Sequence, residues 1–178
     1  MRLCYADPPY IGQSKKHYSG HVDYVGEVDH VQLVKTLTSY DGWALSCHVN
    51  SLGYLLCLCP DTVRVAAWVK PFAFFKKGVS PSYCWEPVIF QSARTDNQRR
   101  KEWPDGPKFC RDWISLNVWG CTPAERIISD VKGRKRPEFS VWALNLMGAI
   151  PTDDLVDMFP GSGAVSSAFR KWKKYGGL

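Results

Sequence analysis

A chain of 178 residues with a 45% apolar share is long enough for one domain with a full core and too short for two. A formal charge of +6 leans toward a polyanionic partner without demanding one. No apolar run is long enough to span a bilayer, and seven scattered cysteines fit reduced buried thiols better than a disulfide framework. Cys57-x-Cys59 has no second Cys or His pair at zinc spacing, so no metal site is expected. These features predict a cytoplasmic protein, and an opening strand leaves no expectation of a signal peptide.

Residues 1–6 read as a buried parallel strand that ends in Asp7-Pro8-Pro9-Tyr10. That turn suits one kind of chemistry. The exocyclic amine of adenine or cytosine is a poor nucleophile, because its lone pair is delocalised into the ring. Two acceptors gripping both N–H hydrogens pull the nitrogen toward a tetrahedral shape. The Asp7 carboxylate and the Pro8 carbonyl can be those acceptors, and the two prolines hold that carbonyl still. Tyr10 can stack on an extruded base. Asp-Pro-Pro also makes a turn by backbone preference alone, so the tetrapeptide by itself leaves both readings open.

Residues 11–28 form a long polar loop with Lys15 and Lys16, read as a flap over a target base and its phosphates. Asp29 is an expected N-cap, with Gln32 completing a capping box and Val31, Leu33, Val34 and Leu37 supplying an apolar helical face, ended by Asp41-Gly42. A strand from Trp43 to Val49, a helix from Ser51 to Leu58 and a strand from Thr62 to Val69 complete a β-α-β-α-β run, the pattern of a parallel sheet with covering helices. Pro71 is expected to break it, and Glu86 to Phe90 to return as an antiparallel strand. Residues 94–134 read as a small basic region: Arg99, Arg100 and Lys101 lie near Trp103 and Phe109, and Lys132 and Arg134 belong to a concentrated basic run. Interleaved basic and aromatic residues suit a nucleic-acid groove or a solvated loop. Trp113 to Trp119 is a candidate short strand.

Pro137 to Met147 reads as a helix with Pro at its first position and Gly148 at its C-terminal cap. A strand over residues 153–159 then runs through Asp157 and Phe159 into Pro160-Gly161-Ser162-Gly163 and a helix from Ala164. A strand, a tight Gly-x-Gly turn and a helix make a nucleoside-cofactor turn, since glycines admit close approach and the helix start offers free N–H groups. Ser166 stands where a dinucleotide fingerprint wants glycine, and no Gly-Lys-Ser/Thr phosphate loop is present.

Asp7-Pro8-Pro9-Tyr10 taken with Asp157-Met158-Phe159-Pro160-Gly161-Ser162-Gly163 resembles the amino methyltransferases that use S-adenosylmethionine (SAM), above all DNA N6-adenine methyltransferases. The catalytic motif comes first and the cofactor motif last, which looks like the circularly permuted branch. Trp68-Val69-Lys70-Pro71, Trp85-Glu86-Pro87-Val88 and Gly133-Arg134-Lys135-Arg136-Pro137-Glu138 are similar to the small phage and actinobacterial methylases. The resemblance covers nearly the whole chain and implies a single α/β domain, residues 1–178, with a Rossmann-like sheet and residues 94–134 as target-recognition region. It implies that Asp7 and Pro8 hold the amine, that Tyr10 stacks on the base, and that Phe159, Pro160, Gly161, Ser162 and Gly163 shape the SAM pocket. Asp157 and the segment from Lys135 to Pro137 would hold the methionine end.

The sequence departs from that family in two respects: the target-recognition region, residues 94–134, is small enough to read only a short sequence, and the cofactor half differs. The strands expected after the cofactor motif, with the acidic ribose partner, are not seen. Weak SAM binding, or a homodimer shielding a bare sheet edge, is therefore expected. Cytosine N4 and RNA adenine stay open as substrates, as does a non-catalytic nucleic-acid-binding homologue.

Overall fold

The structure is a computed structural model that describes residues 1–14, 26–74, 77–116, 135–161 and 163–175, with the backbone alone for 72–74. Among the described residues the elements are β1 (Arg2–Ala6), α1 (His30–Leu37), β2 (Gly42–Ser46), α2 (Val49–Leu58), β3 (Arg64–Phe74), β4 (Tyr83–Gln91), α3 (Asp96–Glu102), β5 (Trp113–Ser115), α4 (Pro137–Leu146), β6 (Asp154–Asp157) and α5 (Ala164–Tyr175). The strands form one mixed sheet in the order β5-β3-β4-β2-β1-β6. β1 pairs parallel with both β2 and β6, so the first and last strands lie side by side.

Strand β1 is an unbroken apolar run because both its faces are covered. Leu3 and Tyr5 point to one side, where Phe139, Trp142 and Leu146 of α4 and Phe169 and Trp172 of α5 pack. Cys4 and Ala6 point to the other, against Leu33, Val34 and Leu37 of α1 and Leu55 of α2. Gly148 ends α4 at a φ of 68°, and a Cβ there would stand 2.6 Å from the Ser92 hydroxyl. Glycine therefore meets both a backbone and a space requirement.

Several expectations need revision. β3 does not sit beside β2, because β4 inserts between them and pairs antiparallel with both. Pro71 does not end β3. The ladder shifts register between Val69 and Phe74 and the strand runs on, as a bulge allows for a residue lacking an N–H. Asp29 caps α1 by accepting from the Gln32 N–H at 3.0 Å, but the Gln32 side chain reaches forward to Thr36 instead of back. Val31 is exposed and lies off the buried stripe. The polar stretch after residue 94 holds a helix, α3, started by a complete Thr95–Gln98 capping box. No described helix is long and apolar enough to cross a membrane.

Candidate active site

Both motifs lie at the carboxyl ends of adjacent parallel strands, where open α/β sheets place their ligands. Tyr5 and Asp157 are register partners across β1 and β6, and the Met158 N–H donates to the Tyr5 carbonyl at 3.0 Å. Asp7 leaves β1 two residues later, and the glycine turn leaves β6 four residues after Asp157. The two ends of the sequence thus form one locus.

Asp7 keeps 24% of its side chain exposed, and its Oδ2 lies 3.2 Å from the Lys135 ammonium. Pro8 is buried and Pro9 half-buried. The Tyr10 hydroxyl donates to Glu86 Oε2 at 3.1 Å, and its ring centre lies 5.7 Å from that of His48. Burial, together with the neighbouring Glu86 and Asp7 charges, pushes the Tyr10 phenol well above its ordinary range, so it stays a donor.

Asp157 offers the other half of the locus. Its Oδ2 accepts from the Ser166 hydroxyl at 3.0 Å, while its Oδ1 is buried with no hydrogen-bond partner among the described residues. Burial raises its pKa and the negative Asp7 nearby adds to the rise, while the Ser166 hydroxyl and the backbone N–H groups of Ser166 and Phe159 oppose it. An unpartnered buried carboxylate oxygen is costly unless a ligand completes it. Gly161 and Gly163 have φ of 48° and 69°, in the left-handed region open to glycine. A Cβ on Gly163 would meet nothing within 4 Å among the described residues, so the hydrogen there faces open space among them at the start of α5. An orphan acceptor beside an open glycine turn and a helix start fits SAM, whose ammonium wants a carboxylate and whose carboxylate wants free N–H groups. Phe159 is half-buried against the core on the α1 and α2 side, and Pro160 is exposed.

Other expected contacts are dispersed. Pro137 opens α4 and lines a surface hollow with Phe109, Trp113 and Ile114. Lys135 is buried against Asp7 at the Asp-Pro-Pro-Tyr turn. Arg99, expected on the nucleic-acid face, is 5% exposed and donates to the Ala149 carbonyl and to Asn145. Its guanidinium is spent inside the protein, which corrects that expectation. Arg100 and Lys101 are exposed. Lys15, Lys16, Lys132, Arg134 and Ser162 lie outside the described residues.

Sequence reasoning missed the roles of Glu86, Lys70 and Ser166. Glu86 and Lys70 sit in the Trp-Glu-Pro and Trp-Val-Lys-Pro strings, and the signal was that two strands each set a charge beside a Trp, buried Trp68 and half-buried Trp85. Trp68 and Glu86 are register partners across β3 and β4.

By sequence the chain matches no family model and no curated protein. By structure it is similar to M1.HpyAVI. The crystal structure of the M1.HpyAVI–SAM complex superposes with a TM-score of 0.57 at 12% identity, covering 96% of this chain and 77% of that one. A second crystal structure of M1.HpyAVI gives a TM-score of 0.54 at 14% identity, covering 96% and 76%. The chain has a Rossmann-like methyltransferase fold.

Proposed function

We propose that this protein is a SAM-dependent methyltransferase acting on the N6 amine of adenine in DNA, with its sheet entered in circularly permuted order. One observation carries the reading. The β1–β6 pairing sets the Asp7-Pro8-Pro9-Tyr10 turn beside a glycine turn whose aspartate has an unfilled buried oxygen. The shared fold with a protein crystallised with SAM supports it.

Bound SAM supplies an electrophilic methyl group on a sulfonium. Asp157 holds the ammonium of the methionine end, and the turn through Gly161 and Gly163 admits the rest. Asp7 and the Pro8 carbonyl grip the adenine amine, and Tyr10 stacks on the extruded base. Asp7 need not be a strong base, because transfer would break the sulfur–methyl bond to leave a neutral thioether and is downhill from the sulfonium, and the methylated nitrogen would lose its proton afterwards; alignment carries much of the barrier reduction. The exposed Arg100 and Lys101, with Lys15, Lys16, Lys132 and Arg134, contact phosphates. A second copy pairing with the outer strand β6, where Val156 is exposed, belongs to the same proposal.

The test is transfer of labelled methyl groups from SAM to unmethylated DNA, followed by nucleoside mass spectrometry. N6-methyladenine is the expected product. N4-methylcytosine would move the target base, and no product on DNA or RNA would end the reading. Asp7→Ala should lower the rate at least ~100-fold, while SAM affinity by calorimetry stays within about threefold.

A further inference from the structure

Four charged side chains meet beside the amine turn; Asp7 has a role there, and Lys135 has so far only the expected role at the methionine end. Glu86 is the hub of the cluster. Its Oε2 accepts from the Tyr10 hydroxyl and lies 4.0 Å from the Lys135 ammonium. Its Oε1 is paired with Lys70. Lys135 in turn lies 3.2 Å from Asp7 Oδ2. The Lys135 ammonium sits 5.0 Å above the Trp68 ring and 5.3 Å above Phe139, and that of Lys70 sits 4.5 Å from Trp68. Two carboxylates and two ammonium groups are thus neutral as a set.

Stability alone does not explain such a cluster, because apolar replacements of similar volume are often as stable as a buried ion network. Specific geometry does explain it. Tyr10 can turn about its side-chain bonds, and a base-stacking ring must hold one plane. Asp7 can rotate its carboxylate, and an acceptor for an amine must hold one direction. Glu86 restrains the first directly and the second through Lys135.

We propose that Glu86 is a positioning residue of the base site: its hydrogen bond fixes the Tyr10 ring, and its pairing with Lys135 fixes the Asp7 carboxylate. This rests on the reading of residues 7–10 as the amine site. Lys135 is thereby assigned to holding Asp7 instead of the methionine end of the cofactor. Asp7 Oδ2 is taken by Lys135, so the other oxygen is the one that meets the amine.

The experiment is steady-state methyl transfer to unmethylated genomic DNA by the wild-type chain and by Tyr10→Phe, Glu86→Gln, Glu86→Ala and the Tyr10→Phe/Glu86→Ala double variant. SAM affinity is measured separately by calorimetry. Tyr10→Phe and Glu86→Ala should each raise KM for DNA roughly tenfold, and the double variant should raise it no further. Glu86→Gln keeps an acceptor for the tyrosine but loses the charge that holds Lys135. It should return KM to within about threefold of wild type and leave kcat roughly tenfold low. SAM affinity should stay within about threefold throughout. Additive KM effects, an unchanged kcat in Glu86→Gln, or SAM affinity falling in step with KM would overturn the positioning role while the wild-type activity stands. An inactive wild type would overturn the amine-site reading and this role with it. If Glu86→Ala does not fold, the kcat of Glu86→Gln decides.

Discussion

Two ionic clusters cap opposite ends of one sheet, and they differ in completeness. At the end where β6 begins, Asp153 is fully buried. Arg94 donates to both its oxygens, at 2.7 and 2.8 Å, and the Ile150 N–H adds a bond at 2.9 Å. Arg94 also binds Glu102 at 2.7 Å and the Gly148 carbonyl. At the end where β1 stops, Asp7 is partly open to solvent and Asp157 has an oxygen without a partner. The same residue types make a finished joint at one end and an unfinished one at the other. The unfinished end marks where a ligand belongs, because a buried carboxylate oxygen without a donor costs more than the buried indole N–H groups of Trp43, Trp68 and Trp172, which also lack partners among the described residues.

Arg94→Met is the strongest way to break that contrast. It leaves the buried Asp153 short of its main counter-charge, which should cost about 3–5 kcal/mol in urea unfolding. Adding Asp153→Leu should recover a large part, since an apolar pair removes the stranded charge. A loss under about 1 kcal/mol, the worth of a surface pair, would show that the joint is looser than its geometry.

The finished cluster was the harder of the two to read from the sequence. Arg94 and Arg99 lie in a polar stretch, and nothing local distinguishes them from Arg100 and Lys101. Their burial depends on α3 folding back onto the end of α4, a long-range event with no period or motif. The unfinished site was more legible, because Asp-Pro-Pro-Tyr and Gly-x-Gly each place their own backbone and need only a strand in front. Even there, Glu86 and Lys70 gained their roles from the cross-strand register of β3 and β4. The antiparallel return of β4 beside β3 was expected, but the register that sets Glu86 opposite Trp68 was not, nor was the insertion of β4 between β2 and β3.

Acid should sharpen the contrast, because carboxylates at the two ends are shifted in opposite directions. Burial would raise the Asp153 carboxyl, but Arg94, the amino terminus and the Ile150 N–H override it and hold the group low. Its stabilising charge is present above the ordinary aspartate range and is lost only as pH falls through the lowered folded value. Burial holds Asp157 high, against its Ser166 contact. Protonating Asp157 therefore relieves the fold while removing the charge that a SAM ammonium needs. As pH drops, SAM affinity should weaken first, roughly tenfold for each unit below the Asp157 pKa, and the urea midpoint should fall later. Affinity and stability declining over the same interval would remove the distinction between the two aspartates.

The smallest expected effect separates three adjacent residues of α3. Arg99 is buried and hydrogen-bonded to the end of α4, whereas Arg100 and Lys101 face solvent, Arg100 donating to the Lys108 carbonyl. Neutralising Arg100 and Lys101 to Gln should move stability by no more than about 0.5 kcal/mol, as surface changes usually do. If both contact phosphates, the slope of log affinity against log salt should shallow by roughly 1.8, with DNA binding weakened most at low salt. Each released counterion contributes the same term whatever the base sequence, so the loss should be equal on specific and random DNA. An unchanged slope would turn the exposed half of α3 away from the duplex. It would leave phosphate binding to the other basic segments, residues 15–16 and 132–134.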